Sequence, residues 1–121
     1  MVDLEKRYEK LEEKKKILVM LNEMIPWDIF REILEVINIK PRRSNAGRKA
    51  MDVILMFKML ILQNLYNLSD EELEYQINDR LSFMKFLGLG IEDNVPDATT
   101  LWLFREKLNH YALKVHRFLK D

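Results

Sequence analysis

The sequence predicts an all-α protein, and three observations carry that prediction. The run from Asp52 to Tyr66, DVILMFKMLILQNLY, is apolar at nearly every position; after Asp52 its clear polar side chains are Lys58, Gln63 and Asn64. A helix with no face to give to water belongs in a core or a membrane. A bilayer span needs about 20 apolar residues, so this shorter run, with a lysine inside it, predicts a central helix that other helices surround. Next, only three glycines and three prolines punctuate the 121 residues, and no stretch alternates as a strand does. Finally, the flanking segments repeat apolar residues every three or four positions against charged faces, which is the pattern of amphipathic helices. The expected architecture is a compact multi-helix domain with an extended N-terminal helix and a helix-turn-helix-like C-terminal half. The chain divides into a helical arm over residues 1–38, a basic loop over 39–50 and a helical domain over 51–121.

Charge and composition narrow the function classes. Hydrophobic residues make up 48% of the chain, enough for a real core, and 20 basic residues balance 20 acidic ones. A net charge of zero argues against binding polyanions by bulk charge, so the distribution of charge matters more than its sum. The absence of cysteine excludes disulfides and thiolate metal sites and suits a reducing cytoplasm. The charged N-terminus, MVDLEKRYEK, does not read as a secretory signal.

The elements follow in order. From Asp3 to Met24 the chain reads as one amphipathic helix, with Leu4, Tyr8, Leu11 and Leu18 on a heptad-like stripe that Lys15 interrupts. Charges of both signs cover its other faces at spacings that allow pairing. Such a helix packs along the domain as an exposed arm or forms a short helical dimer contact. Pro26 suits a first helical turn, and Trp27, Phe30, Ile33, Leu34 and Ile37 recur at helical spacing to about Asn38. Trp27 on this stripe reads as a core residue rather than a binding aromatic.

The composition then changes. In IKPRRSNAGRKA, Pro41 and Gly47 break any helix, and Lys40, Arg42, Arg43, Arg48 and Lys49 stand together with no acid among them. This is the strongest charge cluster in the chain. It is either a solvated loop or a contact to phosphates or a narrow groove.

The central helix ends near Asn67. Ser69 reads as the next N-cap, with Glu72 three residues on. Asp70, Glu71, Glu72 and Glu74 crowd the first turns, where acids favour the helix dipole; this explains them better than catalysis or metal binding. The acidic outer face would repel a phosphate backbone, so on nucleic acid this helix supports rather than reads. Leu81 to Leu87 is a short helical segment closed by Gly88 and Gly90. Asp97 reads as the N-cap of the last helix, whose expected buried stripe is Leu101, Phe104, Leu108, Tyr111 or Ala112, Val115 and Leu119. His110 and His116, six apart, make no metal spacing. The sequence contains no glycine-rich phosphate loop, no nucleophile–base pattern and no internal repeat.

The residues between Gly47 and Leu108 add a resemblance. LMFKMLILQNLYNLSDEELEYQINDRLSFMKFLGL, followed by VPDATTLWLFREKL, resembles the N-terminal domain of transposases of the insertion sequence five family, in order and spacing. The first 40 residues contribute nothing to it. The resemblance implies an N-terminal region that binds the element's DNA ends. It also implies a later ribonuclease-H-like domain whose three acidic residues hold divalent metal ions. The chain stops at Asp121, where that domain would begin, so the catalytic acids have no positions here.

The expected function is therefore recognition of transposon terminal repeats by a non-enzymatic, cytoplasmic and nucleoid-associated homodimer. No cofactor, metal, membrane or small-molecule substrate is expected. Lys40, Arg42, Arg43, Arg48 and Lys49 are the expected phosphate contacts. Thr99, Thr100 and Arg105 are the expected reading residues, because a major-groove helix points its N-terminal side chains at base edges. The alternative for those three is structural: the threonines cap the helix and Arg105 pairs with an acid. Competing functions are an assembly module of the transposase, a stand-alone repressor of transposition and a metal-dependent enzyme using the acids near Ser69.

Overall fold

The computed structural model describes residues 2–38 and 51–120. They form α1 (Val2–Met24), a 3₁₀ turn (Trp27–Phe30), α2 (Arg31–Ile37), α3 (Val53–Tyr66), α4 (Asp70–Asp79), α5 (Leu81–Leu87) and α6 (Ala98–Lys120). No strand occurs among the described residues, and the fold is all-α.

The apolar run becomes α3 and sits at the centre. Asp52 caps it, its carboxylate accepting from the Leu55 amide; Asp52 also pairs with Arg31 of α2, tying the two helices at that end. Asn67 stops α3 in the left-handed region at φ 54°, a conformation Asn tolerates better than most residues. Two core clusters lie on different sides of α3. Leu55, Met59 and Leu62 pack with Leu18 of α1, Leu73 and Ile77 of α4, Phe83 and Phe86 of α5 and Leu101 of α6. Val53, Ile54 and Met56 pack with Leu34 of α2 and Phe104 of α6. The arm over 1–38 thus shares both clusters with residues 51–120.

One partly buried polar chain runs along the edge of this core. Trp27 Nε1 donates to Asn22 Oδ1 at 3.0 Å, Asn22 Nδ2 donates to the Phe86 carbonyl at 3.1 Å, and Lys58 Nζ donates to the same carbonyl at 2.9 Å. The Lys58 ammonium also lies 4.9 Å from the Trp27 ring centre and 5.3 Å from that of Phe86. The single charge inside the apolar run is therefore accommodated by a carbonyl and two rings. Its pKa is still pushed down, because burial disfavours the charged form.

The two longest helices do not bury their stripes end to end. Leu101 and Phe104 are buried and Leu108 is partly so, but Val115 and Leu119 of the expected stripe are 40% and 76% exposed. On α1, Leu18 is buried while Leu4 and Tyr8 are exposed. Length explains both differences. The 14-residue α3 spans roughly 21 Å at 1.5 Å per residue. The 23-residue α1 and α6 each span roughly 34 Å, so each overhangs the core.

Candidate nucleic-acid interface

The opening of α6 is built by carboxylates. Asp97 Oδ1 accepts from the Thr100 amide at 2.7 Å, and Glu74 Oε1 of α4 accepts from the Ala98 amide at 2.7 Å. Acids at this end complement the helix dipole. They also occupy amides that would otherwise attract a phosphate, leaving side chains as the means of contact at this end. Thr99 is exposed and Thr100 half-buried.

Arg105 is held inside the fold. Its Nη1 and Nη2 donate to the two oxygens of Asp70 at 2.7 and 2.8 Å, and Nη1 also donates to Gln63 Oε1 at 3.0 Å. Gln63 closes the triangle by donating to Asp70 Oδ1 at 2.6 Å. The bond from Arg105 is the main reason the Asp70 carboxyl sits below the usual carboxylate range. Arg105 thus takes the structural alternative, pairing with an acid. Asp70 and Glu74, one helical turn apart on α4, grip α6 at two points seven residues apart.

At about 100° per residue, Arg105 lies about 120° around α6 from Thr99, so the two do not share a face. Thr99 shares one instead with Leu103, Glu106, His110, Lys114 and Arg117, all exposed. Lys107 borders this face and donates to Asn38 Oδ1 at 3.2 Å. From Lys107 to Lys120 the helix carries Lys107, Lys114, Arg117, Lys120 and both histidines, with no carboxylate. A helix surface of this kind can follow a phosphate backbone with its cations. The four- and seven-residue spacings from Thr99 are the sequence signal for this face.

Lys40, Arg42, Arg43, Arg48 and Lys49 lie outside the described residues. Among the described residues, no group of three or more His, Cys, Asp or Glu side chains is placed to hold a metal ion, and no helix is long and apolar enough to cross a membrane. A groove of about 780 Å³ runs between α1 and α5, bordered by Leu11, Leu18, Arg80 and Phe86. It includes none of the predicted site residues.

These features define an all-helical module whose last helix is clamped at its start and presents a cationic outer face further along. Residues 6–107 match the family described as Transposase domain (DUF772), and the chain belongs to that family. The match reaches well before Gly47, into the arm that carried no resemblance. No solved structure matches the chain.

Proposed function

We propose that this chain binds the DNA ends of an insertion element as the recognition region of a transposase of the insertion sequence five family. The observation that carries this is the exposed cationic stretch of α6 beyond Glu106, from Lys107 to Lys120, in a chain that belongs to a transposase family. Arg117, together with the basic loop from Lys40 to Lys49, neutralises phosphates and sets the register of the protein on the duplex. Thr99, on the same face, reaches base edges, with Thr100 beside it. Phosphate contacts position and base contacts specify, so the two groups have separable roles. Arg105 acts from within, fixing α6 on α4 through Asp70. The chain performs no strand transfer of its own, since that chemistry needs metal ions held by converging carboxylates, and Asp70 and Glu74 are engaged in holding α6. Transposon ends come in pairs, so the reading includes a homodimer that brings two sites together.

The test is fluorescence anisotropy with duplexes carrying the element's terminal repeat and with scrambled duplexes of equal length. Tighter binding to the repeat supports the reading. Equal weak binding to both reduces it to backbone contact, and no binding at low salt removes it. Incubation of the same duplexes with magnesium or manganese should leave them uncut.

A further inference from the structure

The overhanging ends of α1 and α6 match each other. On α1, Leu4, Tyr8 and Leu11 follow one another at spacings of four and three, and the first two are 54% and 61% exposed. On α6, Tyr111, Val115 and Phe118 repeat the same spacing, with Val115 40% and Phe118 81% exposed. These are core positions of a heptad seam in both helices. Charge is mixed on one side and of a single sign on the other: residues 3–13 carry five carboxylates and three cations, with Lys14, Lys15 and Lys16 following, whereas residues 107–120 carry four cations and no carboxylate. We propose that the α1 end of one chain packs in parallel against the α6 end of a second copy, an assignment that does not depend on the DNA-binding reading.

The direction follows from the pattern. A parallel pair stacks Leu4 on Tyr111, Tyr8 on Val115 and Leu11 on Phe118. Lys15, which breaks the α1 stripe, then meets none of the described residues of α6. On the flank, Lys114 comes opposite Glu12, as the g and e positions of a parallel pair do. An antiparallel pair with the same spacing needs Lys15 in the seam opposite Tyr111, and it sets Arg7 and Lys14 of α1 along the Lys114 side of α6. Two α6 ends pairing with each other would bring two acid-free cationic helices together. Charge thus favours the heterotypic contact over one between two α6 ends. Among the described residues the Glu12 carboxylate otherwise meets exposed Lys15, at 3.3 Å, an exchange that costs little.

The chain has no cysteine, so introduced thiols report the pairing directly. Full-length chains carrying Tyr8→Cys or Val115→Cys are oxidised separately and as a mixture. The proposal expects a disulfide-linked dimer from the mixture and from neither variant alone. A dimer from Val115→Cys alone assigns the seam to two α6 helices, one from Tyr8→Cys alone assigns it to two α1 helices, and no dimer in any tube leaves no such contact; each overturns the proposal. Light scattering on the wild-type chain should give twice the monomer mass. Glu12→Lys or Lys114→Glu should weaken self-association by roughly tenfold if the contact occurs twice per dimer, and both changes in one chain should restore it. Loss without restoration also overturns the assignment.

Discussion

Arg105 and Asp70 meet fork to fork, Nη1 2.7 Å from Oδ1 and Nη2 2.8 Å from Oδ2, across the seam between α6 and α4. The pair is partly buried, the side chains being 29% and 15% exposed. It falls between surface pairs worth little and buried pairs whose breakage is severe. Asp70→Asn should cost about 1–3 kcal/mol in denaturant unfolding at neutral pH. Because folding depresses the Asp70 pKa, its contribution is present above the unfolded value of about 4 and is lost as pH falls through the folded value. The acid limb of the stability curve should therefore be shallower in Asp70→Asn than in the wild type. Parallel limbs would show that the pair contributes nothing to linkage.

Lys58 and Asn22 make opposite predictions although they share an acceptor. In Lys58→Met the Phe86 carbonyl keeps its bond from Asn22, and the desolvation that lowers the Lys58 pKa is removed. The change should be neutral within about 1 kcal/mol, or stabilising. Asn22→Ala leaves Trp27 Nε1 without its acceptor and should cost about 1–3 kcal/mol. Thermal unfolding of both variants checks this, and a larger loss from Lys58→Met would reverse the ranking.

Helix identities were legible because their signals are local. The apolar run from Asp52 to Tyr66, the cap at Ser69, the left-handed stop at Asn67 and the glycine at Gly88 (φ 75°) each act within a turn of the chain. The extent of burial was not legible. The stripe on α6 runs on past Phe104, yet how far it is covered depends on the length of α3, which meets it only in three dimensions. The same holds for the site. Thr99 and the cations of α6 are visible as residue types, and Arg105 reads either as a base contact or as the partner of an acid, but only the fold shows that the acid is Asp70, 35 residues away in sequence.

Removing the α1 end and removing its buried part should differ sharply. Truncation before Leu11 deletes residues that are exposed at every described position from Asp3 to Lys10 and should leave thermal unfolding of the monomer unchanged. Leu18→Ala removes a side chain that is 2% exposed and should cost about 2–5 kcal/mol. Equal effects would mean the overhang is part of the core.

Thr99 and Thr100 separate reading from capping. Thr99→Ala should reduce preference for one base position by roughly 1–3 kcal/mol without altering the melting temperature, since its side chain is exposed. Thr100→Ala leaves the amide that Asp97 caps in place and should change binding less. A uniform loss across all duplexes for Thr99→Ala would reassign that residue to the backbone.

The most direct test of the DNA-binding account is the salt dependence of affinity for the chain and its charge variants. Each phosphate neutralised contributes about 0.9 to the slope of log K against log salt. Replacing Arg117 by alanine should therefore flatten the slope by about 0.9, on matched and scrambled duplexes alike. The Arg42→Ala, Arg43→Ala double variant should give about twice that change. An unchanged slope in the Arg117 variant would contradict the assignment of the α6 outer face to DNA.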